Sequence, residues 1–373
     1  MTKKVGIYIV VVAVLLCPAF AVHAIDTTEI DNVRRKTILN EQDQRVIESF
    51  LGQAIGELLN TENLSDITSV RIIISSRSKS QQESAQIQYG PYFFSGLQKQ
   101  LKAALQETKQ MPQSMRRTII TLNMMILIND LGNVELSKLA LLETQNDSIT
   151  IRYWAVHALT NAKIIEQFNS TEVSQAGLAG EYVNTLKNAA KGETSPDIIA
   201  LVVQFAADLK NAGAVDLLGQ IADFRIAKYA DWTVDNELLD TTVLSALCDK
   251  ILSDDGIAAN MGVRFAQLYS YVIQRYLLAG DSLGKDQKQS LVSVIVSSER
   301  LLGKLITVPV GNLKRALEKN RLAALNEEYY SLFGSETTQG KLPFALGFDY
   351  GKNPDGSIRT APLTLKKPPA KSN

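Results

Sequence analysis

The stretch Ser148-Ile149-Thr150-Ile151-Arg152-Tyr153-Trp154-Ala155-Val156-His157-Ala158-Leu159 decides how this chain is read. It follows a polar turn, Gln145-Asn146-Asp147. Ile151, Trp154, Ala155, Ala158 and Leu159 recur at helical spacing, which predicts a helix with these residues on one face. The segment before it, Ser114 to Leu131, has the same character. Ile119, Ile120, Leu122, Met125, Ile126 and Leu127 are its inward residues, and Gly132-Asn133 is its stop. Together they predict one layer of a stacked helical array.

Working outward, Val134 to Glu143 reads as a short helix, and the helix opened at Ser148 is expected to run to Lys163. Another follows from about Ser174 to Ala190. Ser195-Pro196-Asp197 then gives the clearest helix start in the chain. Serine caps, proline suits the first helical position, and aspartate suits the positive end of the helix dipole. That helix carries Ile198, Ile199, Val202, Val203, Phe205, Ala206 and Leu209, and is expected to stop at Asn211-Ala212-Gly213.

These segments contain an internal repeat. Ser114 to Leu136 aligns with Ser195 to Leu217 at one constant offset, pairing Ser114 with Ser195, Gly132 with Gly213 and Leu136 with Leu217. Ala158-Leu159 aligns with Ala246-Leu247 at a slightly larger one, so the second copy carries a small insertion. The period is about twice the ~40–47 residues of a HEAT or armadillo unit, as two helical hairpins per period would give. A lone hairpin cannot bury both sides of its apolar surface, whereas stacked hairpins share a continuous core. A compact helical bundle with accidental similarity is the alternative.

Asn146 to Leu159 resembles the second helix of a HEAT-type repeat. That family's pattern is an aspartate in the turn, then valine-arginine, alanine and alanine-leucine at helical spacing. Asp147, Ile151-Arg152, Ala155 and Ala158-Leu159 match it, and Val263-Arg264-Phe265-Ala266 echoes its core without the aspartate. The resemblance implies an all-α fold, a right-handed α-α superhelix of stacked antiparallel helix hairpins (a HEAT/armadillo-like solenoid). In the family, the turn aspartate and helix arginine often pair between neighbouring repeats. Asp147, Arg152, Trp154, Ala155 and Leu159 are then structural repeat positions. With its export signal, the chain also resembles uncharacterised exported helical-repeat proteins of bacteria, which implies no activity.

The export signal lies at the N-terminus. Lys3 and Lys4 precede an uncharged run, Val5 to Leu16. Pro18 follows, with small residues at Ala19, Ala21 and Ala24. This is the pattern of a secretory signal peptide over residues 1–24, cleaved after Ala24 or Ala21. Two other readings compete. Val5 to Ala24 is near the lower length limit for an uncleaved anchor. Cys17 would be a lipoprotein cysteine, but Leu16 stands where a small residue is needed.

Residues 25–40 read as a mobile leader, 41–334 as the helical repeat domain, 335–360 as a C-terminal cap and 361–373 as a disordered basic, Pro-rich tail. Glu41 to Leu59 is strongly amphipathic. Val70 to Ile74 is β-branched and compatible with a buried strand. Helices on both sides and the lack of a partner strand favour a helix over Leu64 to Ser76. Ser75 to Gln88 reads as a helix extension or exposed loop, and Pro91 as the opening of the next helix. Near the end, Phe344, Phe348 and Tyr350 are expected to fold back on the last helices as a solenoid cap.

Composition excludes several functions. Lys+Arg and Asp+Glu are both 39, so the formal net charge is zero and the basic excess of a nucleic-acid binder is missing. Once the signal is removed, Cys248 and His157 are the only Cys and His. That leaves no internal disulfide and no site needing two imidazoles. His157 has no nucleophile motif beside it, and Cys248 has no cationic neighbour to make a thiolate. Asp254-Asp255-Gly256 lacks the alternating acids and closing glutamate of a calcium loop. Phe224, Tyr229 and Trp232 form a candidate cluster of interaction aromatics.

The sequence therefore sets one leading expectation: an exported, non-enzymatic helical-repeat scaffold that binds another protein of the periplasm or cell envelope. It is expected to have no cofactor or metal, no nucleic-acid partner and no membrane span after cleavage. The alternative is a helical-toroid enzyme or ligand-binding protein with an acidic and aromatic concave cavity. Oligomeric state is left open.

Overall fold

A computed structural model describes residues 25–170, 176–253, 255–279 and 282–368. The expected signal segment, Asp254 and residues 369–373 lie outside them. The fold is all-α. Among the described residues the only β-pairings are two isolated bridges, Gly334 with Gln339 and Lys352 with Ile358. The chain divides into two compact units with the boundary between Thr108 and Lys109.

The first unit holds α1 (Thr28–Val33), α2 (Glu41–Asn60), α3 (Leu64–Ser76) and most of α4 (Gln86–Gln110). Asn40 starts α2 with a capping box. Its side chain accepts from the Asp43 N–H at 3.0 Å, and the Asp43 carboxylate accepts from the Asn40 N–H at 3.1 Å. Val70 to Ile74 is helical, inside α3. The expected mobile leader is packed instead. Ile30 and Val33 lie one turn apart on α1 and are both buried, and Arg34 donates to Lys79 O at 2.8 Å. Nor does Pro91 open α4, which begins at Gln86 with Pro91 inside it. The N–H that Pro91 lacks would have bonded the carbonyl of Ile87, an exposed residue, so the missing bond costs little there.

The second unit begins with α5 (Met115–Leu131), α6 (Val134–Ser137), a 3-10 turn (Lys138–Glu143), α7 (Ile149–Leu159) and α8 (Ala162–Asn169). It continues with α9 (Ala176–Gly192), α10 (Pro196–Asp208), α11 (Ala212–Ala230), α12 (Leu239–Ser253) and α13 (Asp255–Ala279). It ends with α14 (Lys285–Leu305), α15 (Asn312–Glu318), α16 (Leu322–Phe333) and α17 (Lys341–Leu346). Two series of contacts run through it. In one, α5 packs on α7, α7 on α10, α10 on α12 and α12 on α14. In the other, α9 packs on α11, α11 on α13, and α13 on α16 and α17. The series are joined wherever consecutive helices from α9 to α14 touch.

Several boundaries differ from those expected. The helix opened at Ser148 ends at Leu159. There the Asn161 amide donates to Asn129 O at 2.9 Å while its oxygen accepts from the Lys163 N–H, starting α8 anew. The repeat also departs from its alignment. Gly132 ends α5 in the left-handed region (φ 56°), which suits glycine, whereas Gly213 lies inside α11 without positive φ. The asparagines that cap the next helices, Asn133 on Leu136 N and Asn211 on Ala214 N, lie after Gly132 but before Gly213. The second copy's first helix is shortened, and a long α11 replaces α6 and the 3-10 turn.

The C-terminal run is the largest departure. Phe348 and Tyr350 are buried, with Tyr350 Oη donating to Phe333 O at 3.0 Å, but Phe344 is 77% exposed. Residues 361–368, read as disordered, lie along the second unit with Pro362 and Leu365 buried. Gly334 (φ 103°) makes this path possible, since a side chain there would occupy the place of the Thr360 carbonyl. The Thr360 hydroxyl donates to Ser335 O at 2.6 Å and anchors the root of the segment.

Candidate functional site: a groove on α13 that holds an extended segment

Gln267, Ser270 and Gln274 are spaced three and four residues apart on α13 and so share one face. All three are buried, although α13 could have placed polar groups in solvent. Their partner is the segment Pro362 to Lys366. Gln267 accepts from the Leu363 N–H at 2.8 Å and donates to the Leu363 carbonyl at 3.2 Å. In extended backbone the N–H and C=O of one residue point the same way, so a carboxamide can meet both as a neighbouring strand would. Gln274 bridges two residues of the segment instead. It accepts from the Leu365 N–H at 2.7 Å and donates to Leu363 O at 3.0 Å.

The floor fixes Gln274. Its amide nitrogen lies 2.8 Å from Ser270 Oγ and 3.0 Å from Tyr329 Oη, and those hydroxyls are 2.9 Å apart. Burial pushes the Tyr329 phenol up to about 12, although Ser270 and Gln274 pull the other way. It therefore stays a neutral hydroxyl across the physiological range.

Trp232 closes the far end, its indole N–H donating to Lys366 O at 3.0 Å. Trp232 is left-handed (φ 60°), an outlier for a bulky side chain, and Asn236 in the same turn has φ 50°. The turn is fixed from beneath. Arg225 donates to Asp240 through Nε at 2.7 Å and Nη2 at 3.0 Å, and to Asp235 O at 2.9 Å. Tyr229 donates to Asp240 at 2.7 Å. Burial works against the Arg225 charge, but Asp240 outweighs it and holds the guanidinium above its usual value. Burial also lifts the Asp240 carboxyl against the pull of Arg225 and Tyr229. Arg275, next to Gln274, lies 5.4 Å from the Trp232 ring centre and 5.8 Å from that of Tyr229. It is buried and reaches Glu237 at 3.4 Å through Nη2, while its Nε and Nη1 have no hydrogen-bond partner among the described residues.

The expected interaction aromatics thus face three surroundings. Trp232 edges the groove. Tyr229 is fully buried beneath Arg275, and Phe224 is part-exposed with Lys228 Nζ 5.0 Å from its ring centre.

Of the repeat positions, Ala155 and Leu159 are fully buried, and Trp154 sits half-buried between Tyr153 and His157. Arg152 pairs with a carboxylate of the next layer, just ahead of α10. It binds Glu193 through Nε at 2.8 Å and Nη2 at 3.2 Å, and meets Asp147 only at its backbone carbonyl. Glu193 also accepts the N–H groups of Thr194 and Ser195. Burial opposes the Glu193 charge, but Arg152 and these N–H groups outweigh it and hold the carboxyl below its usual value. Ser195 makes no side-chain cap. The second motif arginine does likewise, with Arg264 on α13 gripping Asp223 on α11 by two bonds of 2.9 Å. Each arginine ties neighbours within its own packing series, Arg152 joining α7 to the residues just before α10 and Arg264 joining α13 to α11.

His157 Nδ1 lies 2.6 Å from Asn129 Oδ1, and burial lowers its pKa. Cys248 is buried, which raises its thiol to about 11. Among the described residues no group of three or more His, Cys, Asp or Glu could hold a metal ion, and no helix is long and apolar enough to cross a membrane.

Sequence reasoning did not single out Gln267, Gln274, Tyr329 or the strap. The available signal was a pair of glutamines seven residues apart in a largely apolar stretch of helix. Comparison with protein families, with curated proteins and with solved structures finds no match.

Proposed function

We propose that this chain is an exported helical-repeat scaffold that binds other proteins in the periplasm or cell envelope and carries out no reaction of its own. The observation that carries the reading is the α13 groove. It holds an extended main chain by paired side-chain amides, which is the chemistry of protein recognition rather than of bond making. The HEAT-like arrangement is part of the proposal. The two packing series joined through consecutive helices, and the motif arginines that bridge neighbours within each, support stacked hairpins. Export rests on the sequence of residues 1–24 alone.

The test is retrieval of the tagged, exported protein from its own envelope fraction, with the co-purifying proteins identified by mass spectrometry. The proposal expects a reproducible protein partner. Its absence across repeated mild conditions overturns the scaffold reading. N-terminal sequencing of the mature protein tests export, and a start at Met1 or Thr2 refutes cleavage.

A further inference from the structure

We infer that the α13 groove is a docking site for an extended segment of another protein, and that Pro362 to Lys366 is a built-in occupant which such a segment displaces. The inference rests on the scaffold reading and gives it a site.

The groove reads main chain. Gln267, Gln274 and Trp232 all bond N–H or C=O groups of the strap, which any sequence can offer. Side-chain selection is confined to Pro362 and Leu365, which are buried, while Leu363, Thr364, Lys366 and Lys367 are exposed. A partner segment therefore needs an extended backbone and apolar residues three apart, with little else prescribed.

Two observations point to a ligand site rather than a permanent brace. Arg275, beside Gln274, keeps two buried N–H groups without acceptors among the described residues while the strap is seated, whereas buried donors in a fully matched contact are paired. Trp232 is held in a strained left-handed conformation with its indole N–H on the strap, and such strain gathers at ligand clamps.

The occupant is a different protein rather than a second copy. The strap is rooted two residues before Pro362, where Thr360 bonds Ser335 O, and Tyr350 is tied to Phe333 O. That short root holds the strap over its own groove. It competes there at the high effective concentration of an attached ligand, so an incoming segment binds the wild-type chain weakly until the strap is released.

The test uses the full chain and a fluorescent peptide with the sequence of residues 361–368, followed by anisotropy. Leu365→Asp places a carboxylate where Leu365 is buried and releases the strap. The peptide is expected to bind this variant at least about ten-fold more tightly than wild type, because the attached competitor is gone. Adding Gln267→Ala and Gln274→Ala should abolish that gain. Equal affinity for wild type and Leu365→Asp overturns the inference, as does binding indifferent to the glutamines. A wild-type dimer that becomes monomeric on Leu365→Asp also overturns it, because a second copy would then hold the groove. If Leu365→Asp fails to fold, excess peptide is added to wild type and hydrogen exchange is read at the Leu363 and Leu365 amides. Faster exchange supports displacement, and unchanged exchange overturns it. A chain that still retrieves an envelope partner while failing these tests loses this groove but keeps the scaffold reading.

Discussion

Replacing Asp240 with Asn tests the network that holds the Trp232 turn. Asp240 is fully buried and accepts three bonds, two from Arg225 and one from Tyr229. An amide keeps the shape but turns one acceptor oxygen into a donor. In either orientation an N–H group then faces an N–H of Arg225. The Arg225 charge, itself 2% exposed, also loses its buried counter-ion. What remains is the half-exposed Asp235 carboxylate at 3.6 Å and the carbonyls of Asp235 and Asn236. A half-exposed ion pair contributes about 0–1 kcal/mol, whereas breaking a buried pair costs about 3–5 kcal/mol. The expected loss is therefore about 3–5 kcal/mol, a large part of the ~5–15 kcal/mol that stabilises a domain. Urea unfolding followed by tryptophan fluorescence reads this directly, because Trp154 and Trp232 are the only tryptophans and both belong to the second unit. Arg225→Met together with Asp240→Leu removes both charges and should recover part of the loss, the buried Tyr229 hydroxyl being left without its acceptor. A loss below about 1 kcal/mol for Asp240→Asn, or a double variant no better than the single one, refutes the reasoning.

Three further outcomes follow from the structure. Arg152→Ala should cost about 1–2 kcal/mol in urea unfolding, since it removes a two-bond contact to buried Glu193. The Glu193 carboxyl is held below its usual value near 4.5, so its contribution is present above that pH and lost as pH falls through the lower folded value. Stability should therefore drop below about pH 4.5, and the drop should be shallower in Arg152→Ala. Gly132→Ala should cost about 1–2 kcal/mol for the left-handed conformation, and more because the added Cβ meets the Lys163 side chain, as read by thermal unfolding.

The all-α fold was legible because Glu41 to Asn60 and Pro196 to Asp208 each write one buried face at helical spacing. Asn133 and Asn211, read in the sequence only as stops, also cap the helices that follow them. The partner of Arg152 was not legible. Glu193 and Asp147 are both acids near a helix start, and only the packing of α7 against α10 selects Glu193. The strap was hidden for a related reason. Pro362 to Lys366 has the composition of a tail, and its order comes from residues about ninety positions away. Gln267 and Gln274 looked like ordinary polar interruptions of the apolar helix α13, because an amide that grips backbone leaves no mark on its own periodicity. Trp232 was picked out for its ring, yet its indole N–H makes the contact that matters here.

Native-state hydrogen exchange at the Leu363 and Leu365 amides tests the reversible groove most directly. These N–H groups bond only side chains that belong to the groove, at 2.8 Å and 2.7 Å. The expected result is measurable protection with an opening free energy well below that of α13 core amides such as Tyr269, since the strap opens locally while the helix stays folded. Exchange of the strap amides only together with the α13 core would make the strap a permanent brace and contradict the account.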